Sequence, residues 1–172
     1  MNGFSFASAV AFTLYTLMGL SALHRRSRRS PSRWAFAFFC MLYAAWSAMY
    51  AFMSSTADEA SAWTLIRSFS FSWTLSASAF LHFALLLTNR VKPRNWIAQL
   101  MVYAPGLVFA VRGAMGPLFF DTLVRTNGVW YEIATTRSVW PLVYVVYYYA
   151  AIIGGLVAIW LRARGSDRHV DR

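Results

Sequence analysis

Residues 4–23 read FSFASAVAFTLYTLMGLSAL, and residues 24–33 follow at once as HRRSRRSPSR. The first segment holds 20 residues without a charge, ~30 Å as a helix, enough to cross the hydrocarbon of a bilayer. The second places five arginines in ten residues. Ser30-Pro31 stops any helical continuation, because the residue before proline avoids the helical region. No basic residue precedes the apolar segment. That order reads as an anchor whose N-terminus crosses to the outside and whose arginines stay in the cytoplasm, not as a cleavable signal.

Composition extends this reading to the whole chain. Of 172 residues, 59% are hydrophobic and 13% charged, with a mean hydropathy of +0.46. A soluble domain carries about 25% charged residues, so this chain lacks the polar groups to cover a water-facing surface. The net charge is +10. The cations sit in short clusters beside apolar runs, as lipid head groups and membrane topology use charge, which argues against a nucleic-acid partner. Cys40, the single cysteine, lies in an apolar run and reads as a small buried side chain outside any disulfide framework.

Four more runs follow. The second covers residues 34–53. The link after it, Ser54-Ser55-Thr56-Ala57-Asp58-Glu59, is small, polar and acidic, hence external, and its acids suit the first turn of the next helix. The third run, 61–88, places Arg67 near the outer interface and exits through the basic, cytoplasmic Asn89-Arg90-Val91-Lys92-Pro93-Arg94. The fourth, 96–111, has only about 16 residues, against the ~20 a span usually needs. Pro105-Gly106 predicts a kink in it, and residues 113–120 are expected to return along the outer interface. The fifth, 139–161, carries Trp140 and Trp160 at spacing suited to aromatic belts ~30 Å apart. The predicted organisation is an all-α integral membrane domain over residues 1–161, with five transmembrane helices and a cytoplasmic polar tail over 162–172. The three cytoplasmic segments hold five, three and four of the 16 Lys and Arg residues, and the external side holds four of the six acids. This asymmetry sets the N-terminus outside and the C-terminus in the cytoplasm of a multi-pass cell-membrane protein.

Residues 121–134 differ in kind. Asn127-Gly128 between two alternating segments is the strongest short hairpin signal. A two-residue turn pairs Val124 with Tyr131 and Thr122 with Ile133 on one side. It pairs Arg125 with Trp130 on the other, with Glu132 diagonal to Arg125. The expectation is a small external β-hairpin whose apolar face lies on the helix ends.

The chemistry is defined mainly by what the spans omit. No Asp or Glu lies in any of the five apolar runs, whereas ion and proton pathways usually place ionisable groups at membrane depth. No paired carboxylates, metal-ligand cluster or phosphate loop is present, so no catalytic residue, metal or cofactor is expected. His82 is the one ionisable side chain well inside a span. The sharper readings are a haem or metal ligand or a pH sensor. The plainer one is a neutral imidazole bonded to Ser78 or to a neighbouring helix. Ser68, Ser72 and Ser76 share a face of the third helix. Ala150, Gly154 and Ala158, with Ala151 and Gly155 beside them, do the same in the fifth. Small residues so spaced let helices approach closely, within the bundle or in a dimer. Tyr144, Tyr147, Tyr148 and Tyr149 crowd the outer half of the fifth helix, ordinary for an interface or, with Trp73 and Arg67, the lining of a ligand pocket.

The basic loop after the first helix, residues 63–90 with Phe80-Leu81-His82-Phe83-Ala84-Leu85, Tyr103-Ala104-Pro105-Gly106, Asn127-Gly128-Val129-Trp130-Tyr131 and the arginine-flanked end of the fifth helix carry a family likeness. In this order they resemble the N-terminal seven-transmembrane region of bacterial sensor histidine kinases. The resemblance spans most of the chain. It implies a membrane sensor or anchoring input for cytoplasmic output modules such as PAS-like or kinase domains. That family continues into two more helices and an output domain. The resemblance therefore implies a truncated relative with about five helices present, a fragment, or a stand-alone subunit that signals through a partner.

The resulting reading is a non-catalytic sensory and signal-transduction module of the bacterial inner membrane, lacking its output domain. A ligand would act by binding two helix arrangements with different affinity. The ligand-contact candidates are Arg67, Trp73, Arg112, Arg125, Trp130, Tyr131, Tyr144 and Tyr148, with Glu132 beside them on the hairpin. Arg25, Arg26, Arg28, Arg29 and Arg33 are candidates to grip anionic lipid at ~1 kcal/mol each, although a solvated loop that sets topology is the plainer use. The partners expected are the lipid bilayer and either a homodimer mate or a cytoplasmic signalling protein; the ligand is unspecified. A small oligomeric transporter or channel subunit, or a membrane-embedded lipid enzyme, is the alternative, and the absence of acids in the spans weighs against both.

Overall fold

The computed structural model describes residues 3–24, 30–116, 120–126, 129–134 and 138–167. The elements are α1 (Gly3–His24), α2 (Pro31–Ser55), α3 (Glu59–Ser68), α4 (Ser70–Thr74), α5 (Ser76–Leu87), α6 (Trp96–Met115), β1 (Phe120–Thr126), β2 (Val129–Ala134) and α7 (Trp140–Asp167). Five segments among the described residues are long and apolar enough to span a membrane: α1, α2, α4 with α5, α6 and most of α7. Much of their apolar surface faces outward. Phe6, Leu14 and Leu17 of α1 are each more than half exposed, which hydrocarbon tolerates and water does not.

Local chemistry builds each turn. Pro31 sits in the first turn of α2, where its missing N–H would have no helical partner anyway. Arg33 Nε donates to the Ala22 carbonyl at 2.9 Å, closing the turn from α1. Asp58 caps α3 by accepting the Ser61 N–H at 2.8 Å, and Asn95 caps α6 by accepting the Ala98 N–H at 3.1 Å, each satisfying an orphan donor. Beyond α5, Asn89 takes φ 56° and the Arg90 N–H reaches back to the Leu85 carbonyl at 3.0 Å, the αL closure that asparagine tolerates.

The third run is one span in three pieces, α3, α4 and α5, interrupted at Phe69 and Leu75. Residues 68–78 read SFSFSWTLSAS. Ser70, Ser72, Thr74, Ser76 and Ser78 are all buried, not only one serine face, because α2, α6 and α7 pack around this span. The Ser72, Thr74 and Ser76 hydroxyls donate back to the carbonyls of Phe69, Ser70 and Trp73 at 2.6, 2.8 and 2.8 Å. Bonds onto the preceding turn compete with the helix ladder and bend it. Ser70 and Ser78 cross to α6 instead, donating to the Ala110 and Val102 carbonyls at 3.2 and 2.7 Å.

Small residues set the helix contacts. On α7 the buried positions are Ala151, Gly155 and Ala158, while Ala150 and Gly154 are exposed. A Cβ at Gly155 would lie 2.7 Å from Cε1 of Phe80 on α5, so this face is packing within the bundle. The Arg162 guanidinium reaches the Leu87 carbonyl at the same junction. A Cβ at Gly106 would meet three neighbours at once: Ser78 Oγ at 2.9 Å, and Leu75 Cδ2 and the Tyr147 hydroxyl at 3.0 Å. Gly106→Ala is therefore expected to destabilise by ~1–3 kcal/mol through overpacking. A lowered thermal midpoint in detergent checks this; an unchanged midpoint would mean that α6 can move off α5 freely.

Three expectations change. α6 runs without a break to Met115, beyond residue 111. The half-buried Arg112 occupies its last turn, where a long side chain can carry its charge to the interface. The return along the interface expected over residues 113–120 is therefore replaced by helix as far as Met115, and residues 117–119 lie outside the described residues. α7 likewise continues to Asp167, so the polar tail begins as helix.

The hairpin pairs Val124 with Tyr131, Thr122 with Ile133 and Arg125 with Trp130, the register expected. The Asn127-Gly128 turn itself lies outside the described residues. The third change is the docked face. Val124, Tyr131 and Ile133 are 40%, 52% and 48% exposed, whereas Leu123 and Trp130 are buried. The face with fewer apolar side chains docks because it carries Trp130, which packs with Met49, Met53, Ala62 and Ile66.

Candidate functional site

Beneath the docked hairpin, α2, α4, α7 and β2 line a partly open cavity of about 490 Å³. α2 contributes Trp46, Met49 and Tyr50, whose i, i+3, i+4 spacing puts them on one helical face. α4 contributes Trp73, held in the wall by the break that follows it at Leu75. α7 contributes Pro141, Tyr144, Val145, Tyr148 and Tyr149. β2 contributes Glu132, the sole carboxylate among the described lining residues.

The polar ends of these rings are engaged. The Tyr144 hydroxyl donates to the Trp73 carbonyl at 2.9 Å, and the two rings meet edge to face at 5.4 Å. The Tyr148 and Tyr43 hydroxyls share a 3.0 Å hydrogen bond. Tyr50 donates its hydroxyl to Glu132 Oε2 at 3.3 Å. Behind this wall, Phe109 of α6 packs with Trp73, Tyr144 and Tyr147. Tyr147 hydrogen-bonds Ser78 at 2.6 Å, tying the aromatic wall to the buried serine run.

Glu132 is half-buried and forms no ion pair among the described residues. Burial pushes its carboxyl up to about 7, with the Tyr50 hydrogen bond opposing, because a low-dielectric setting disfavours the charged form. On its other side lies an open groove of about 600 Å³ between α1, α2 and β2. Trp46, Tyr50 and Glu132 line both spaces and so form the partition between them.

The structure brings together part of the candidate set. Trp73, Tyr144 and Tyr148 line the cavity; Trp130 and Tyr131 line the groove. Three arginines stand elsewhere. Arg67 is exposed and lies 5.9 Å from the Trp63 ring. Arg112 lies at the end of α6 and lines neither space. Arg125 donates to the Ala57 carbonyl at 2.9 Å and lies 5.6 Å over Trp130, fastening the hairpin rather than pairing with Glu132. Arg33 is engaged at the α1–α2 turn, and Arg25, Arg26, Arg28 and Arg29 lie outside the described residues. Trp46 and Tyr50 were not foreseen as lining; their spacing with Met49 and Met53 on one face of α2 was the available signal.

At the opposite, basic end His82 lines a space of about 400 Å³ with Trp34, Phe38, Gln99 and Tyr103. Its Nδ1 lies 3.1 Å from the Tyr103 hydroxyl of α6, so the neighbouring helix supplies the partner while Ser78 bonds elsewhere. Its Nε2 is buried with no hydrogen-bond partner among the described residues. Among the described residues no group of three His, Cys, Asp or Glu side chains could hold a metal ion.

A family model described as the N-terminal 7TM region of histidine kinase matches residues 5–172. No match was found among the curated proteins or the solved structures.

Proposed function

Because the chain belongs to the family of N-terminal 7TM regions of histidine kinases, we propose that it is a non-catalytic sensory input that passes an external signal through the membrane to a kinase output module. The observation that carries this reading is the cavity under the hairpin. Residues from α2, α4, β2 and α7 converge there, so a ligand in it touches α2 and α7, which also run to the basic end. A ligand shifts such a bundle only by its differential affinity for two packings. The charge asymmetry of the loops supports an orientation with the hairpin outside and residues 90–94 in the cytoplasm. The lipid bilayer and a cytoplasmic signalling protein, or a second copy of the chain, are the partners this reading requires.

Orientation has a direct test. In a Cys40→Ala background, Ala57→Cys is expected to react with a membrane-impermeant maleimide in intact cells, and Lys92→Cys only after permeabilisation. The reverse pattern overturns the orientation. For function, cross-linking in native membranes is expected to yield a histidine kinase module, in the same polypeptide or bound to it. Its autophosphorylation should change several-fold on Trp73→Leu. Ligand-dependent flux in proteoliposomes, with no kinase attached, would establish the transporter reading instead.

A further inference from the structure

We infer that the cavity under the hairpin binds an organic ammonium ion, seated against the rings of Trp46, Tyr50, Trp73, Tyr144 and Tyr148 and neutralised by Glu132. The inference rests on the sensory reading for its biological use. Binding itself is measured without any kinase, so the two fail separately.

Four observations converge. The volume, about 490 Å³, lies in the range of small-molecule sites, ~300–1,000 Å³. The wall is aromatic, and the hydroxyls of Tyr144 and Tyr148 are bonded to Trp73 and Tyr43, so these rings offer π surface rather than free donors. Cations are attracted to such surface, and desolvation strengthens the attraction. Among the described residues the lining contains one carboxylate and no Lys, Arg or His. An anionic ligand therefore has no partner there, and a metal ion has a single oxygen-ligand side chain where it needs several. Finally, Glu132 is a half-buried carboxylate whose partner among the described residues is the Tyr50 phenol at 3.3 Å. A buried charge without an opposite charge is costly, and an ammonium in the cavity supplies the missing partner.

The groups facing Glu132 are few in kind. Tyr50 of α2 and Tyr144, Tyr148 and Tyr149 of α7 face it across the cavity. Tyr15 of α1, Tyr43 of α2 and Tyr131 of β2 face it across the groove. Arg125 of β1 is two rungs along the ladder and directed to Ala57 and Trp130. Among the described residues neither space is lined by a second carboxylate or by Lys, Arg or His, so the charge in the partition is that of Glu132. Burial already places it near neutrality, so acid removes the charge that holds the cation.

The test uses the purified chain in nanodiscs, with benzyltrimethylammonium and its uncharged carbon isostere, neopentylbenzene, as probes. Tryptophan fluorescence and calorimetry read binding. Saturable binding of the ammonium at about pH 8, at least roughly tenfold tighter than the isostere, supports the inference; sets the scale. Glu132→Gln, which keeps the shape and the phenol contact, should weaken the ammonium at least about tenfold and leave the isostere unchanged. Trp73→Leu should also weaken it. Equal binding of the two probes, indifference to Glu132→Gln, or no saturable binding overturns the assignment. Of these, equal binding would mark the space as a plain apolar pocket.

Discussion

Trp130→Ala is expected to release the hairpin from the bundle at a cost of ~3–5 kcal/mol, the range for truncating a buried indole. Trp130 is 8% exposed and packs with Met49 and Met53 of α2 and with Ala62 and Ile66 of α3. Its Nε1 donates to the Thr56 carbonyl at 3.1 Å. Arg125, lying over the ring, donates to the next carbonyl, Ala57, at 2.9 Å. Two stacked side chains, one from each strand, thus pin the hairpin to the α2–α3 turn, and a two-stranded ribbon has little stability of its own. Limited proteolysis in nanodiscs should show rapid cleavage within residues 120–134 of the variant and slow cleavage of the parent. Trp130→Phe retains the packing but not the hydrogen bond and should fall between them. If Trp130→Ala stays as protected as the parent, the anchoring role assigned to the indole is wrong.

The second large effect concerns pH. The carboxyl of Glu132 rises from an ordinary 4.5 to about 7 on folding because of burial. A group raised in the folded state contributes its stability fully below the unfolded value and loses it as pH climbs through the folded one. The fold is therefore expected to weaken between pH 4.5 and about 7. At ~1.4 kcal/mol per unit, the loss attributable to this group approaches ~3 kcal/mol. Asp58 slopes the other way, since the Ser61 N–H holds its carboxyl below the usual range, and the raw profile mixes the two. Comparison with Glu132→Gln separates them. The variant should match the parent near pH 4 and be more stable by up to ~3 kcal/mol near pH 8. Melting curves that run parallel for the two proteins across this range would remove Glu132 as the source. The same substitution that strengthens the fold in alkali should weaken ammonium binding, so the weakening cannot be ascribed to unfolding.

Much of this architecture is legible in the chain because lipid imposes a blunt code. The apolar runs and arginine-rich turns mark the spans, and Asn127-Gly128 sets the register in which Val124 meets Tyr131. What escaped depends on competition between side chains and backbone. The interruptions at Phe69 and Leu75 arise where hydroxyls bond the preceding turn, and hydropathy does not register that. The reach of α6 past Arg112 depends on a long side chain whose charge need not share the depth of its Cα. The site was partly visible: Trp73, Tyr144 and Tyr148 were candidates, and all three line the cavity. The arginines beside them were not brought in, because each cation found a ring, a backbone carbonyl or a helix end instead. Glu132 entered the lining once the strand face bearing Trp130 turned inward, and alternation alone does not decide which face of a hairpin docks.

The segmented third span bears on how force could travel. A continuous helix moves as a rod, by piston or by tilt. A helix interrupted at Phe69 and Leu75 need not move as one rod, and its three lengths are gripped differently. α3 is held by the hairpin anchor, α4 by the aromatic wall and α5 by the glycine of α7. Pressure on the middle length, where Trp73 faces the cavity, would swivel the outer two against each other without pulling either out of its seat. Such a linkage would pass a sideways push at Trp73 along α5 toward the far end, where His82 and Tyr103 touch.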